Sequence, residues 1–220
     1  MKKTLITTLL LAAAVGAFAQ GSINFGNQFG SGFISPIYNV DPANPANVVR
    51  GNSATSRPVG NPATVYAGGL LQGSGFTMGL FVGAAGTPVN QLHLASTAAF
   101  RSGTGGANAL PAGLITSQLA LVIQGIEAGA PAQLEIRAWD NRGGTVSTWD
   151  AVLANPSVAR GTSGTFLSGG LGGIDSSGNP VIPPNTSGWQ SFGLYIVPEP
   201  STIALAVLGF GSLLLFRRRK

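Results

Sequence analysis

The sequence predicts a mainly β protein, a β-sandwich that is jelly-roll or immunoglobulin-like in outline, with one short helix. The 220-residue chain contains 33 glycines and 14 prolines, while charged residues make up only 9%. This composition excludes an ordinary helical protein, and the frequent apolar residues argue against disorder. Short runs of alternating apolar and polar residues recur between clusters of Gly, Pro, Asn and Ser. Many short strands with one small helix are typical of a sandwich.

The strands can be placed in chain order from these alternating runs. The first is predicted at 22–27. Residues 28–62, with turn-rich stretches at 41–45 and 60–62, are predicted to form an irregular surface excursion. Further strands are predicted at 64–71, 76–82, 91–100, 114–124, 133–140, 165–167 and 189–197. A loop is expected at 103–108. The strand at 114–124 would place Leu119, Leu121 and Ile123 on one face.

The run at 133–140 gives the clearest strand pattern. Its two faces carry Leu134, Ile136 and Ala138 on one side and Glu135, Arg137 and Trp139 on the other. Glu135 and Arg137 are predicted to form an exposed ion pair of small energetic value. The only helix pattern before the C-terminal region spans 148–154, with Ser147 as its cap and Asn155-Pro156 as its stop.

Charge and residue types exclude several classes of function. Between Gln20 and Val197, six arginines are balanced by six acidic residues, so no basic patch for nucleic acid is expected. The chain has no cysteine and a single histidine, His93, so no metal site and no cofactor are predicted. Residues 175–179 resemble the start of a calcium loop without its closing acid, and an Asx turn is favoured.

Two sets of residues leave alternatives open. Asp140 and Asp150 flank a Gly-Gly turn and would serve a glycoside hydrolase if they converged. Three tryptophans, Trp139, Trp149 and Trp189, could form a stacking platform for sugar rings together with Tyr66. The competing interpretation, which we favour, is that these tryptophans fill the core or cover its edge.

The N-terminal residues have the pattern of a secretion signal. Lys2 and Lys3 precede an apolar run at 5–15, and the small residues Ala17 and Ala19 mark a cleavage site before Gln20. Residues 1–19 are therefore predicted to be a signal peptide, read by the export machinery and signal peptidase.

The C-terminal residues combine a break, an apolar stem and a cluster of cations. Pro198, Glu199 and Pro200 interrupt regular structure. The uncharged run at 202–216 would reach roughly 24 Å as a helix, slightly short of a ~30 Å hydrocarbon core. The cations that follow are Arg217, Arg218, Arg219 and Lys220. They predict a transmembrane helix with its C-terminus in the cytoplasm and the rest of the chain outside.

This order of features resembles the PEP-CTERM sorting signal of Gram-negative bacteria, over residues 197–220. The resemblance implies recognition by a membrane-embedded exosortase, cleavage near Pro198–Pro200, and release or transfer to the surface, often alongside exopolysaccharide production. Residues 198–220 would then be the sorting signal and 20–197 the secreted β-sandwich domain.

We therefore expect an exported protein, transiently anchored in the membrane and then located at the cell surface or in the extracellular matrix. Its expected role is structural or interactive, without enzymatic activity. The alternatives are a carbohydrate-binding module for exopolysaccharide, a permanently anchored single-pass membrane protein, and a glycoside hydrolase.

Overall fold

The computed structural model describes residues 20–103 and 112–198. Within them the chain forms one α-helix, α1 (Trp149–Ala154), and two 3-10 turns, Val89–Gln91 and Arg142–Gly144. The twelve strands of this part are β1 Gln20–Phe25, β2 Gln28–Phe29, β3 Phe33–Ile34, β4 Ile37–Tyr38, β5 Phe76–Ala84, β6 His93–Ala99, β7 Gln118–Glu127, β8 Pro131–Asp140, β9 Arg160–Gly170, β10 Gly173–Ile174, β11 Pro180–Val181 and β12 Phe192–Gly193. A mainly β chain with one short helix is confirmed.

Four strands form an antiparallel sheet in the order β6-β5-β8-β9. The predicted strands at 76–82, 91–100 and 133–140 are confirmed to within a few residues, and the run at 165–167 is part of the longer β9. The side chains of the inner face are those of Met78, Leu80, Val82, Leu134, Ile136 and Ala138. The outer face carries Phe81, Glu135, Arg137 and Trp139, because side chains alternate along each strand.

The main core lies between the inner face of this sheet and the antiparallel pair β1–β7. Ile23 and Phe25 of β1 and Ile123 of β7 are fully buried there with the inner-face residues. Each such side chain contributes about 1.5–3 kcal/mol through its burial. Two sheet layers over one apolar core are consistent with a β-sandwich.

Leu119 contradicts the predicted face of β7, since it is 73% exposed. Residues 119 and 120 of β7 together oppose the single residue Asn24 of β1, which is a β-bulge. Ala120 has a φ of 51°, and its N–H donates to Oδ1 of Asn24 at 2.9 Å. The bulge interrupts the alternation and turns Leu119 to solvent.

The outer face carries a second apolar cluster. The residues that follow β8 fold back over this face, so Val146, Val152 and Val158 pack against Phe81 and Trp139. The helix predicted at 148–154 is confirmed as α1. Its cap is Thr148, one residue after the predicted Ser147, and the Thr148 hydroxyl accepts the N–H of Ala151 at 3.3 Å.

Two predicted strands are wrong. Residues 64–71 form no strand, and Leu70 makes only an isolated bridge to Tyr38. Of residues 189–197 only β12 is a strand, and it runs parallel to β4. In both segments the backbone groups hydrogen-bond to several separate stretches, including 37–39 and 49–52, so no continuous ladder develops.

No helix among residues 20–103 and 112–198 has both the length and the apolar character needed to cross a membrane. The predicted signal peptide (1–19), most of the 103–108 loop and the predicted span at 202–216 lie outside the described residues.

Tyr66 gives the 64–71 segment a fixed position. Its ring stacks on Tyr38 at a centroid distance of 3.9 Å, and its hydroxyl lies 2.7 Å from the carbonyl oxygens of both Gly51 and Ser191. Burial, with a smaller contribution from Tyr38, raises the pKa of Tyr66 well above its ordinary value of 10.0.

This raised pKa predicts a loss of stability in alkaline solution. Because the folded state favours the neutral phenol, the contribution of Tyr66 is fully present below pH 10.0 and declines as the pH rises further. We expect Tyr66→Phe to unfold more easily at neutral pH by about 1 kcal/mol, with a flatter alkaline dependence. Urea unfolding at several pH values measures both, and an alkaline slope unchanged by the substitution would contradict the assignment to Tyr66.

Candidate functional site

A groove of about 590 Å³ opens on the outer face of the four-stranded sheet. We call it the outer-face groove. The 3-10 turn Val89–Gln91 and β6 border it on one side, and α1 borders it on the other. Its lining includes charged, aromatic and apolar side chains, among them Phe81, Leu94, Glu135, Arg137, Trp149 and Asp150.

Glu135 and Arg137 form a buried ion pair at the groove. Arg137 Nε donates to Glu135 Oε2 at 2.6 Å. The Glu135 side chain is only 5% exposed and the Arg137 side chain 8% exposed. The predicted pair is therefore present, but its predicted exposure is wrong. The residues that cover it come from α1 and the Val89–Gln91 turn, which the local strand pattern does not reveal.

Aromatic rings and a carbonyl oxygen hold the guanidinium in place. Arg137 Cζ lies 3.9 Å from the centroid of the Phe81 ring and 5.1 Å from that of Trp149, both cation–π distances. Its Nη2 donates to the carbonyl oxygen of Val89 at 2.9 Å. Gly79 of β5 lies opposite Arg137 of β8. A side chain at position 79 would crowd the rings of Phe81 and Trp139, so the glycine leaves these rings room.

The pair keeps unused hydrogen-bonding capacity. Arg137 Nη1 and Glu135 Oε1 make no hydrogen bond within residues 20–103 and 112–198. Neither atom is fully buried, since among the described residues the fully buried side-chain nitrogen or oxygen without a partner is Arg101 Nε. Both atoms therefore keep some contact with solvent, and since Glu135 and Arg137 line the groove, Nη1 can donate and Oε1 can accept there.

The structure does not bring the three tryptophans together. Trp139 is fully buried and touches half-buried Trp149 edge-on at 5.8 Å. Trp189 is 4% exposed and lies in the main core, 5.8 Å from Phe33 and 6.0 Å from Phe192. A platform made of all three is thus excluded, and only Trp149 lines the outer-face groove.

Asp140 and Asp150 occupy different surroundings. The Asp140 carboxylate accepts the backbone N–H of Arg142 at 2.8 Å and pairs with its side chain at 3.3 Å. Asp150 stands exposed in the first turn of α1 and lines the groove. The carboxylate that shares the groove with Asp150 is Glu135, a combination that the sequence interpretation missed because it takes α1 to bring them together.

The other predicted polar sites are simple. His93 is exposed at the rim of the groove. Asp175 accepts the N–H groups of Ser177 and Asn179 at 2.9 and 2.8 Å, as the favoured Asx turn requires. In the described part of the chain, no three residues of His, Cys, Asp or Glu are grouped to hold a metal ion.

The residues of the predicted processing signals lie at the edges of the described part. Gln20 begins β1, and Pro198 is exposed. Ala17, Ala19, Glu199, Pro200, Arg217, Arg218 and Arg219 are outside the described residues.

The domain closes immediately before Pro198. Tyr195 and Arg160 exchange backbone hydrogen bonds, and Ile196 N–H donates to the carbonyl oxygen of Pro45 at 2.7 Å. From Val197 onward no backbone hydrogen bond ties the described chain to the domain. Cleavage after this point would leave every described strand intact.

A family model described as the PEP-CTERM protein-sorting motif matches residues 197–220. The predicted resemblance is confirmed over that range. No curated protein and no solved structure matches the chain.

Proposed function

We propose that this chain, which carries a PEP-CTERM sorting motif at residues 197–220, displays its β-sandwich domain outside the cell as a non-enzymatic structural or interaction protein. The motif supports a protein sorted to the cell surface by exosortase-type machinery. Export through the signal peptide, transient anchoring by residues 202–216 and cleavage near Pro198–Pro200 complete the proposed route.

The observation that carries this proposal is the position of the motif relative to the fold. Ile196 makes the last backbone hydrogen bond to the domain, and the exposed Pro198 follows two residues later. A membrane enzyme can therefore reach the Pro-Glu-Pro segment without unfolding the domain. The domain also contributes a surface, the outer-face groove, that suits contact with a partner outside the cell.

Processing is tested by the intact mass of the protein recovered from the surface or medium of its own bacterium. We expect a species that begins at Gln20 and ends between Pro198 and Ser201, bare or with an added group. Glu199→Gln should block processing and retain the tail, because the carboxylate between the two prolines would be lost. Glu127→Gln, an exposed acid at the end of β7, is the matched control and should be processed normally.

A wild-type species that still carries Phe216 to Lys220 would contradict cleavage and support the permanently anchored alternative. Normal processing of Glu199→Gln would show that the processing enzyme does not recognise the carboxylate.

The outer-face groove favours a second function, carbohydrate binding, because an aromatic ring and charged hydrogen-bonding groups line the same concave surface.

A further inference from the structure

We propose that the outer-face groove binds a neutral sugar unit of a polysaccharide, with the pyranose ring against Trp149 and its hydroxyls on Glu135, Arg137 and Asp150. This inference rests on the proposed function only in placing the groove where polysaccharide is met. The groove volume of about 590 Å³ suits a small ligand or a short stretch of a polymer.

The hydrogen-bonding groups of the groove fit hydroxyls. Arg137 Nη1 can only donate, whereas Glu135 Oε1 and the Asp150 carboxylate can only accept. A sugar hydroxyl does both, so adjacent hydroxyls can bridge such donors and acceptors. Both residues of the ion pair are more than nine-tenths buried. The aromatic rings hold Arg137, and Arg137 holds Glu135, so both side chains are fixed before a ligand arrives.

The charge of the groove selects against ionic ligands. Glu135 and Arg137 cancel, and Asp150 leaves one negative charge at the groove. An anionic uronate or sulfate would be repelled by Asp150 and would find the guanidinium already neutralised. A neutral ligand avoids both costs.

The aromatic and apolar walls supply a stacking surface. Trp149 is held edge-on by Trp139 at 5.8 Å and by Phe81 at 6.1 Å, so little side-chain freedom remains to be lost on binding. Leu94 and Leu153, 42% and 53% exposed, extend the apolar surface beside it. A pyranose has apolar C–H faces and polar edges, which match this division of the groove.

The buried ion pair is also difficult to explain by stability alone. Removing two charges from water costs free energy that their attraction often fails to recover, and apolar residues of similar size commonly serve as well. We therefore assign the Glu135–Arg137 pair, which α1 helps to cover, a role in recognising the ligand of the groove.

The test uses the full chain in mild detergent, titrated calorimetrically with cellohexaose, mannohexaose and fully N-acetylated chitohexaose as neutral probes and with an alginate hexasaccharide as the anionic probe. We expect at least one neutral probe to bind and the alginate probe not to bind. Trp149→Ala should weaken that binding roughly thirtyfold, as for an aromatic anchor at the centre of an interface.

Two further variants guard against loss of folding. Asp150→Asn alters an exposed side chain and should weaken binding about tenfold, the value of a hydrogen bond to a charged group. Glu127→Gln, outside the groove, should bind as the wild type does. Circular dichroism confirms that each variant is folded.

Binding of no neutral probe at millimolar concentration would overturn the proposal, as would neutral binding unaffected by both Trp149→Ala and Asp150→Asn. Stronger binding of the alginate probe would overturn the charge argument and with it the proposed ligand class. These outcomes are independent of the intact-mass experiment, because purified chain binds or fails to bind whether or not its tail is processed in the cell.

Discussion

Arg137→Met is expected to destabilise the domain by about 3–5 kcal/mol, because it leaves the Glu135 carboxylate buried without its partner. The same change removes the donor to the Val89 carbonyl oxygen and the contact with the Phe81 ring. The double variant Glu135→Leu/Arg137→Met should regain most of this loss, since two apolar side chains then replace the pair. Urea unfolding followed by circular dichroism measures all three proteins.

The Arg142–Asp140 pair provides a matched control. Its N–O distance is 3.3 Å, but the Arg142 side chain is 47% exposed and the Asp140 side chain 28% exposed. Solvent and salt screen such a pair, so Arg142→Met should cost about 1 kcal/mol or less. A loss as large as that of Arg137→Met would show that burial is not the cause. A double variant no more stable than Arg137→Met would show that the charges themselves support the fold.

The double variant also separates stability from recognition. If the buried pair serves the groove, the double variant should fold with nearly wild-type stability and still lose its affinity for the neutral probe. Recovery of folding together with binding would assign recognition to Trp149 and Asp150 alone. The ion pair would then be a feature of the second apolar cluster without a role in ligand contact.

Strand β8 shows how far the sequence predicts the fold. Its alternation correctly separates Leu134 and Ile136, which enter the main core, from Glu135 and Arg137 on the opposite face. A period of two specifies the faces of a strand but not what covers each face. The cover of the outer face comes from the segment after β8, whose path depends on tertiary packing. For that reason the ion pair was predicted and its burial was not.

Other differences have equally local causes. The bulge opposite Asn24 turns Leu119 outward. The residue pattern does not predict that the Asn24 side chain will accept a hydrogen bond from the N–H of Ala120. Residues 64–71 have an alternating pattern, but their backbone groups hydrogen-bond to separate positions, Asn39, Asn52 and Gly113 among them, and not to one continuous strand. Alternation is therefore typical of a strand but does not supply its partner.

The candidate sites differ in the same way. The sorting signal is contiguous, so its order could be predicted in full, and the family match at 197–220 confirms it. The groove is lined by residues of β5, β6, β8, β9, α1 and the Val89–Gln91 turn, and only Trp149 of the three predicted tryptophans reaches it. The sequence predicts the face of β8 that carries Trp139, but it does not predict that α1 covers this ring and leaves Trp149 at the groove.

Trp139→Ala is expected to cost about 3–5 kcal/mol, the usual range for removing a buried large aromatic side chain. Trp139 is fully buried in the second apolar cluster, and its Nε1–H donates to the carbonyl oxygen of Val146 at 3.0 Å. The substitution leaves a cavity beneath α1 and an unpaired carbonyl. Because α1 has only six residues, its stability depends on packing, so its amides should also exchange hydrogen faster.

The pattern of effects distinguishes a local role from a global one. Trp139→Phe keeps a ring but lacks the N–H, so it should cost less than Trp139→Ala and still more than Leu119→Ala. Leu119 is 73% exposed, and its truncation should change stability by no more than about 0.5 kcal/mol. A large cost at Leu119 would contradict the β7 bulge. Unchanged exchange in α1 after Trp139→Ala would mean that the remaining members of the second apolar cluster, Phe81, Val152 and Val158 among them, hold the helix over the sheet without this ring.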